Sequence, residues 1–512
     1  MSDAATFDRM LDLGDETATV ALAEDLAAVL RPGDVIALVG DLGAGKSTFA
    51  RALLRAFADD AALDVPSPTF TLVQTYDLGR LTLSHYDLYR LADASELDEL
   101  GFDEAIAQGA ALVEWPDRAE NRLPASTLVL AIGPSATAEA RRARLTGPAE
   151  AWSARLERTL AVRAFLAVAG SPFGHRRHLQ GDASARSYER IHDAAGTTVL
   201  MNHPPEPDDA AGRARVAARA AAKLAEGPEP FLAMDLALAD LGYSVPEVLA
   251  HDLDDGLLLL EDLGSEVCFA GEPPLPVPEC YAVAVELLAD LHGRDLPEAV
   301  DDGDGGRWTI PRLGSAGYRT EVEILLDWGL PHYLGRSASE NERDRFRAVW
   351  APLLDEIERG PTTWSMRDYH SPNLLWLPER TGLARIGLLD FQDIAFAHPA
   401  YDVASLTQDA RLDVAADVEA DLLETYVAAR RRQDSGFDET AFRRAHAILA
   451  AQRATRLLGQ FVRLKVRDGK PGYMRHVPRQ WAYLERLLAE PVLRPLKLWY
   501  EDVVPAERRR VA

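Results

Sequence analysis

Cysteine is nearly absent from this 512-residue chain, with only Cys268 and Cys280 present. They form no C-x-x-C pair and have no histidine cluster beside them, which excludes a structural zinc site and suits a reducing cytosol. No unbroken apolar run reaches about eighteen residues, so no segment is expected to span a membrane. Met1 to Asp15 is acidic and lacks an apolar stretch, so no secretory signal is expected there. Positive charge is also short: 55 Lys and Arg stand against 81 Asp and Glu, for a net charge of −26. That balance argues against a broad nucleic-acid-binding surface, while leaving room for a local basic patch or an RNA-modifying partner. No internal repeat is visible. What the chain does have is apolar content, 47%, ample for buried cores. Its length calls for two or three domains. A globular cytoplasmic protein with no direct membrane association is the expectation.

The most specific stretch is Val35 to Thr48, an apolar run followed by Gly40-Asp41-Leu42-Gly43-Ala44-Gly45-Lys46-Ser47-Thr48. This is G-x-x-x-x-G-K-[ST] placed between a strand and a helical segment, as the motif requires. Glycines let successive backbone N–H groups turn inward around a polyphosphate, and the following helix N-terminus favours its charge. Gly40, Gly43, Ala44, Gly45, Lys46, Ser47 and Thr48 are therefore assigned to ATP, with the Ser47 hydroxyl also a Mg²⁺ ligand. Upstream, Asp15-Glu16-Thr17 caps an amphipathic helix with Leu22, Leu26 and Leu30 on one stripe. Downstream, two apolar runs end in carboxylates, at Asp87 and at Glu114. In open α/β sheets ligands sit at the carboxyl ends of strands. Glu114 is the Mg²⁺ candidate, and Asp87 a catalytic residue that positions water or senses the nucleotide. His85, alone, is read as structural or interfacial.

Gly-Asp-Leu-Gly-Ala-Gly-Lys-Ser at 40–47, Ser-Pro-Thr-Phe-Thr-Leu at 67–72, His-Tyr-Asp-Leu-Tyr-Arg at 85–90 and Val-Glu-Trp-Pro at 113–116 together resemble TsaE. That family is the small ATPase of bacterial threonylcarbamoyladenosine tRNA modification. The resemblance runs from about Thr17 to about Gly147. It implies an α/β P-loop NTPase domain over 1–148 acting on TsaB-like and TsaD-like proteins, with tRNA reached only through that complex. It also implies that Thr17 approaches the nucleotide and that Ser47 and Glu114 hold Mg²⁺.

Gly147-Pro148 punctuates the chain, and Ala149 to Ala169 reads as a helix with Trp152, Leu156, Leu160 and Phe165 as apolar markers. The junction, 149–157, is short and not Gly/Ser-rich, so a fairly rigid connection is expected. Beyond it, Gly181 to Ile191 and Thr197 to Met201 read as a hairpin behind a polar turn able to lie over phosphates. Leu257 to Leu260 is a buried strand leading into an acidic turn, a candidate hinge. Glu298 to Gly306 is expected to be a mobile acidic loop, and Arg508-Arg509-Arg510 solvated charge. Two later segments carry chemistry. Arg367-Asp368-Tyr369-His370-Ser371-Pro372-Asn373 leads into an apolar run, and Ile386-Gly387-Leu388-Leu389 ends in Asp390. An Asp with an Asn five residues on, then a second Asp after a strand, is the arrangement of kinase-type transfer. One carboxylate takes the substrate hydroxyl proton while Asn and Asp hold Mg²⁺ on ATP.

Asp368, His370, Asn373, Asp390 and His398-Pro399-Ala400-Tyr401-Asp402 are similar to the aminoglycoside-phosphotransferase and choline-kinase-like superfamily. Gly181-Asp182-Ala183-Ser184-Ala185-Arg186-Ser187-Tyr188, with Val199-Leu200-Met201 and the Asp368 loop, narrows the resemblance to N-acetylmuramate/N-acetylglucosamine kinases. This implies a two-lobed α+β protein-kinase-like domain over 158–505 that phosphorylates the anomeric hydroxyl of an amino sugar. Asp368 is then the base, Asn373 and Asp390 the metal ligands, Ser184 and Arg186 ATP contacts, and Asp402 structural. Two features depart from the wider superfamily. Arg367 replaces a small residue, and Met201 stands where a phosphate-pairing Lys is common, leaving Arg186 and Arg190 as candidate replacements. The rival implication is phosphotransfer to an aminoglycoside, choline or another small alcohol beside a regulatory nucleotide-binding domain.

Overall fold

The computed structural model describes residues 5–137, 139–179 and 186–509. The chain divides into two compact units, one made of 1–204 with 248–262 and the other of 205–247 with 263–512. The polar turn with Ser184 lies outside the described residues.

The first unit contains two sheets. The larger is built from β1 (Thr6–Leu13), β2 (Val35–Val39), β3 (Val73–Asp77), β4 (Thr82–Asp87), β5 (Gly109–Glu114), β6 (Leu128–Pro134) and β7 (Arg141–Pro148), in the order β1-β7-β6-β2-β5-β4-β3. β6, β2, β5 and β4 run parallel, and β1, β7 and β3 add antiparallel edges. A parallel centre needs cover on both faces. On one face α1 (Glu16–Ala27) packs beside α2 (Lys46–Ala58), with Leu22, Leu26, Phe49 and Leu53 in the core. On the other, α3 (Glu96–Glu99) and α4 (Phe102–Gln108) supply Leu97 and Phe102. Asp15 caps α1, its carboxylate accepting from Ala18 N at 2.9 Å. The smaller antiparallel sheet has the order β11-β12-β10-β9-β8, from β8 (His175–Leu179), β9 (Ser187–Asp193), β10 (Gly196–Asn202), β11 (Val248–Asp252) and β12 (Leu257–Glu261).

No linker separates these sheets. β7 ends at Pro148, and α5 (Ala149–Val168) starts at the next residue. Its first half, through Trp152 and Leu156, enters the core of the large sheet. Its second half, through Val162, Phe165 and Leu166, enters the core formed with Ile191, Leu200, Leu257 and Leu259. Polar contacts reinforce the join: Arg155 makes a two-pronged pair with Asp34 at 2.5 and 2.8 Å. α1 is also buried on a second side. Glu24 and Asp25 face Arg163 of α5 and His175 and Arg176 of β8. Arg176 in turn pairs with Glu189 of β9 at 2.6 and 2.8 Å.

The second unit is mainly helical: α6 (Ala210–Ala221), α7 (Glu229–Asp240), α8 (Pro278–Leu291), α9 (Ser315–Ile324), α10 (Leu330–Leu334), α11 (Glu340–Glu358), α12 (Ala400–Thr407), α13 (Ala416–Gln433) and α14 (Glu439–Val466), followed by shorter C-terminal helices. α14, long and deeply buried, is the element around which α9, α12 and the C-terminal helices pack.

Three expectations are corrected. Glu298 to Gly306 is not a mobile loop but part of a hairpin, Ala299–Asp301 against Arg307–Thr309, its turn closed by Asp302 accepting from Asp304 N and Gly306 N. Cys268 and Cys280 form a disulfide, with Cα atoms 5.5 Å apart. Spacing concealed the pair; Val277 N donates to Cys268 O and so folds Cys268 back onto the first turn of α8, where Cys280 sits. Arg509 is not solvated charge: it is buried, donates to Val504 O at 2.8 Å and pairs with Glu485 at 3.1 Å. Among the described residues no helix is long and apolar enough to cross a membrane.

Candidate active sites

The first site lies at the carboxyl end of β2, where the chain must turn tightly into α2. Gly45 takes φ +110°, a conformation L side chains rarely adopt, and a Cβ on Gly40 would meet Ile132 O at 2.4 Å. The loop is therefore restricted to glycine at both outer positions. Lys46 folds back along it, Nζ donating to Gly40 O at 2.8 Å and Asp41 O at 3.1 Å, 4.2 Å from the centre of the Trp115 ring. Ser47 Oγ donates to Glu114 Oε1 at 3.1 Å, so strand β5 delivers its acid to the hydroxyl at the start of α2. His85 Nε2 lies 3.1 Å from the same Oε1 and holds the carboxylate from behind, in keeping with a structural role. Two hard oxygens from a hydroxyl and a carboxylate, side by side at the mouth of an N–H-lined turn, form a donor set that fits Mg²⁺ on a nucleotide.

Asp87 stands beside Glu114 in the β4–β5 register. Its carboxylate accepts from Thr69 Oγ1 at 2.8 Å and Tyr89 N at 3.1 Å, which pins the 67–72 segment next to the site. Thr17 is exposed in the first turn of α1. Arg141, which motif reading did not single out, donates from Nε to Ala44 O at 3.2 Å and brings a cation to the loop. It opens β7, which lies between β6 and β1.

The second site is assembled within the second unit. Thr363–Ser365 pairs with Ala395–Ala397, and Leu374–Trp376 pairs with Ile386–Leu388. The second pairing puts the residue before one strand, Asn373, beside the turn after the other: Leu389 N donates to Asn373 O at 3.0 Å, and Asp390 follows at φ +57°. Asn373 Nδ2 donates to Asp368 O at 2.9 Å, which turns its amide oxygen away from the loop. Gln392 Nε2 donates to Asp390 Oδ1 at 2.9 Å. Amide and carboxylate oxygens so placed again suit Mg²⁺ carried on phosphates.

The loop itself is held by buried acids. Asp402, fully buried, accepts from Ser365 Oγ, Met366 N and Arg367 N at 2.7 to 2.9 Å. Asp409, absent from the motif reading, accepts from Ser371 N at 2.8 Å and Tyr281 Oη at 3.2 Å. These bonds fix Arg367 at φ +63°, which aims the next residue, Asp368, outward. Arg367 points inward, donating to Lys223 O at 2.6 Å and pairing with Glu321 at 3.2 Å. It thereby fills the place of the usual small residue. Burial would raise the Asp368 carboxyl, but Arg456, His370, Arg367 and Arg453 together hold it below its ordinary value. It is thus ionised at neutral pH, as a proton acceptor must be. Of the candidate replacement cations, Arg190 is committed to Asp262 at 2.8 Å.

Two family models match the chain, and the second begins within the first unit, taking in the smaller sheet. The family model described as threonylcarbamoyl adenosine biosynthesis protein TsaE matches residues 13–143, and that described as phosphotransferase enzyme family, APH, matches 175–443. An N-acetylmuramate/N-acetylglucosamine kinase of Caulobacter vibrioides is 39% identical over 367 residues, 69% of this chain and 99% of that protein. The tRNA threonylcarbamoyladenosine biosynthesis protein TsaE of Bacillus subtilis is 45% identical over 117 residues, 22% of this chain and 70% of that protein. The protein of the same name from Rickettsia felis is 45% identical over 108 residues, 21% of this chain and 63% of that protein. The chain belongs to the TsaE family through its N-terminal part and to the APH phosphotransferase family through its C-terminal part.

Proposed function

We propose that the chain is a bifunctional cytoplasmic enzyme. Its C-terminal part is an ATP-dependent kinase of the anomeric hydroxyl of N-acetylmuramate and N-acetylglucosamine. Its N-terminal part is an ATPase acting on TsaB-like and TsaD-like partners in tRNA threonylcarbamoyladenosine synthesis. The observation that carries the kinase reading is the outward-facing Asp368 beside Asn373 and Asp390, in a chain 39% identical to a kinase of these two sugars over 99% of that kinase.

In this reading Asp368 accepts the proton of the sugar O1 hydroxyl as O1 attacks the γ-phosphorus of ATP. The bond from that phosphorus to the β–γ bridging oxygen breaks, ADP leaves, and the proton passes from Asp368 to solvent. Asn373 and Asp390 hold Mg²⁺, which when bound neutralises phosphate charge. In the N-terminal site Lys46 leaves Gly40 O and Asp41 O for the phosphates, Ser47 and Glu114 hold Mg²⁺, and Asp87 with Thr69 orders the adjoining segment.

The test is incubation with ATP and N-acetylmuramate, with detection of a 1-phosphate. Product from the wild type and a loss on the order of 10³-fold in Asp368→Asn are expected, from removal of the base and its charge. No product from the wild type, or undiminished product from the variant, refutes the assignment.

A further inference from the structure

The deepest polar feature the phosphotransfer scheme leaves unused lies on α14. Arg453 and Arg456, three residues apart on one helix face, project from a stretch whose buried residues include Ala450, Gln452, Ala454, Thr455 and Leu457. Arg456 reaches Asp368, Nη2 to Oδ1, at 4.0 Å, and Glu321 at 3.5 Å. Arg453 is 3% exposed and donates only to a backbone carbonyl, Gln408 O at 3.2 Å. Nε of both arginines is buried with no partner, as are Tyr318 Oη, Tyr401 Oη and Gln452 Oε1. These groups lie together. The Tyr318 and Tyr401 rings are 5.7 Å apart, Gln452 donates to Glu321 at 2.9 Å, and both arginines act electrostatically on Tyr401.

Buried polar atoms are normally hydrogen-bonded, and a convergent set left unpaired marks a place for a ligand or water. Glu321 is shared among Arg367, Arg456 and Gln452, while Asp368 and Asp409 act on Arg453 and Asp393 on Arg367. The unpartnered Nε groups of Arg453 and Arg456 are donors, so what they lack is an acceptor. Burial, with repulsion from Arg456, pulls the Arg453 guanidinium below its ordinary pKa in spite of these acids. An aminoglycoside or choline would bring a further cation to such a site. An anion would complete it.

We propose that Arg456, backed by Arg453, is the subsite that binds the carboxylate of an acidic sugar while Asp368 engages that sugar's anomeric hydroxyl. This rests on the sugar-kinase reading above and adds to it a specificity determinant. N-acetylmuramate carries its lactyl carboxylate at O3, across one ring from O1. Arg456 stands 4.0 Å from Asp368, so a sugar whose anomeric hydroxyl meets Asp368 lies within reach of Arg456. N-acetylglucosamine is the same ring without the acid, so it serves as the matched neutral probe.

The experiment measures kcat/KM of the full chain for both sugars, in wild type, Arg456→Met and Arg456→Lys. The readout is the ratio of N-acetylmuramate to N-acetylglucosamine. A charge-assisted hydrogen bond is worth about 10- to 100-fold, so Arg456→Met should lower the ratio by that factor, chiefly through KM for the acid. Arg456→Lys, which keeps the charge without the fork, should fall between. Equal losses for both sugars would assign Arg456 to Asp368 or to phosphate instead and overturn the proposal, as would an unchanged ratio in both variants. Circular dichroism identifies a misfolded Met variant, and the Lys variant then decides. If the wild type phosphorylates neither sugar, the kinase reading itself has failed, a distinct outcome.

Discussion

Asp25 of α1 is the residue whose loss should be felt furthest. Its carboxylate is 2% exposed and accepts from two arginines, Arg163 at 2.8 Å and Arg176 at 2.7 Å. Arg176 is itself 3% exposed, and Arg163 retains only Glu24, at 3.7 Å, as a second ion-pair partner. In Asp25→Ala, Arg176 keeps Glu189 but loses one of its two acids, and Arg163 loses its close one. Breaking a buried pair by removing one partner costs about 3–5 kcal/mol, because the remaining charge stays buried. Against a domain stability of about 5–15 kcal/mol, that is a large fraction. Urea unfolding of the full chain, followed by tryptophan fluorescence, should show the first transition shifted by this amount. Pairing Asp25→Ala with Arg163→Ala in a double-mutant cycle should give a coupling of about 1–3 kcal/mol. A single-mutant cost below about 1 kcal/mol with no measurable coupling would refute the claim that this network joins the two sheets.

Other expectations follow from the same contacts. A fragment starting at residue 158 keeps Arg163 and Arg176 but lacks Asp25, so it should be less soluble and melt lower than the full chain; an equal melting temperature would contradict this. Lys46→Ala should abolish ATP hydrolysis stimulated by TsaB-like and TsaD-like proteins while leaving sugar phosphorylation within about threefold, since the transfer site is built without the P-loop; loss of both activities would refute two separate sites. His398 is buried and, with His292 adding repulsion, is pushed down to about 4. The unfolded chain takes up this proton near pH 6.5, so the stabilisation is complete above that pH and is lost as pH falls toward 4, by up to about 3 kcal/mol. His398→Gln should flatten that part of the stability–pH curve, and an unchanged slope would count against it.

The placement of the candidate residues was readable in the sequence because it is local. Glycines at 40 and 45, Lys46 and Ser47, and the Asp368–Asn373 loop each lie within a dozen residues, and backbone sterics force their arrangement. Glu114 was readable because an apolar run ended in an acid, and β5 does end there. What stayed hidden depends on long-range pairing. β1 was not read as a strand, since Met1 to Asp15 registered only as acidic, and its pairing with β7 joins positions about 135 residues apart. Asp409 and Arg453 sit in segments with no motif, though an Arg amid Ala450, Ala451 and Ala454 on a helix this apolar was a signal that a charge is buried. The disulfide was hidden because a turn, not spacing, brings the cysteines together.

α1 also shows that the two sheets of the first unit share more than a peptide bond. Periodicity correctly gave it one apolar stripe, through Leu22 and Leu26. A stripe alone predicts that Glu24 and Asp25 face water, and they do not. A helix that buries acids opposite its apolar face needs cations brought to it, and those come from α5 and β8. Arg176, on β8, then passes the connection to Glu189 on β9, so one guanidinium ties α1 to both strands. Burial would raise Glu189, yet Arg176 keeps it below its ordinary value, so the tie is charged at neutral pH. The helix that opens with Thr17, next to the P-loop helix, therefore also braces the β8–β9 edge of the smaller sheet.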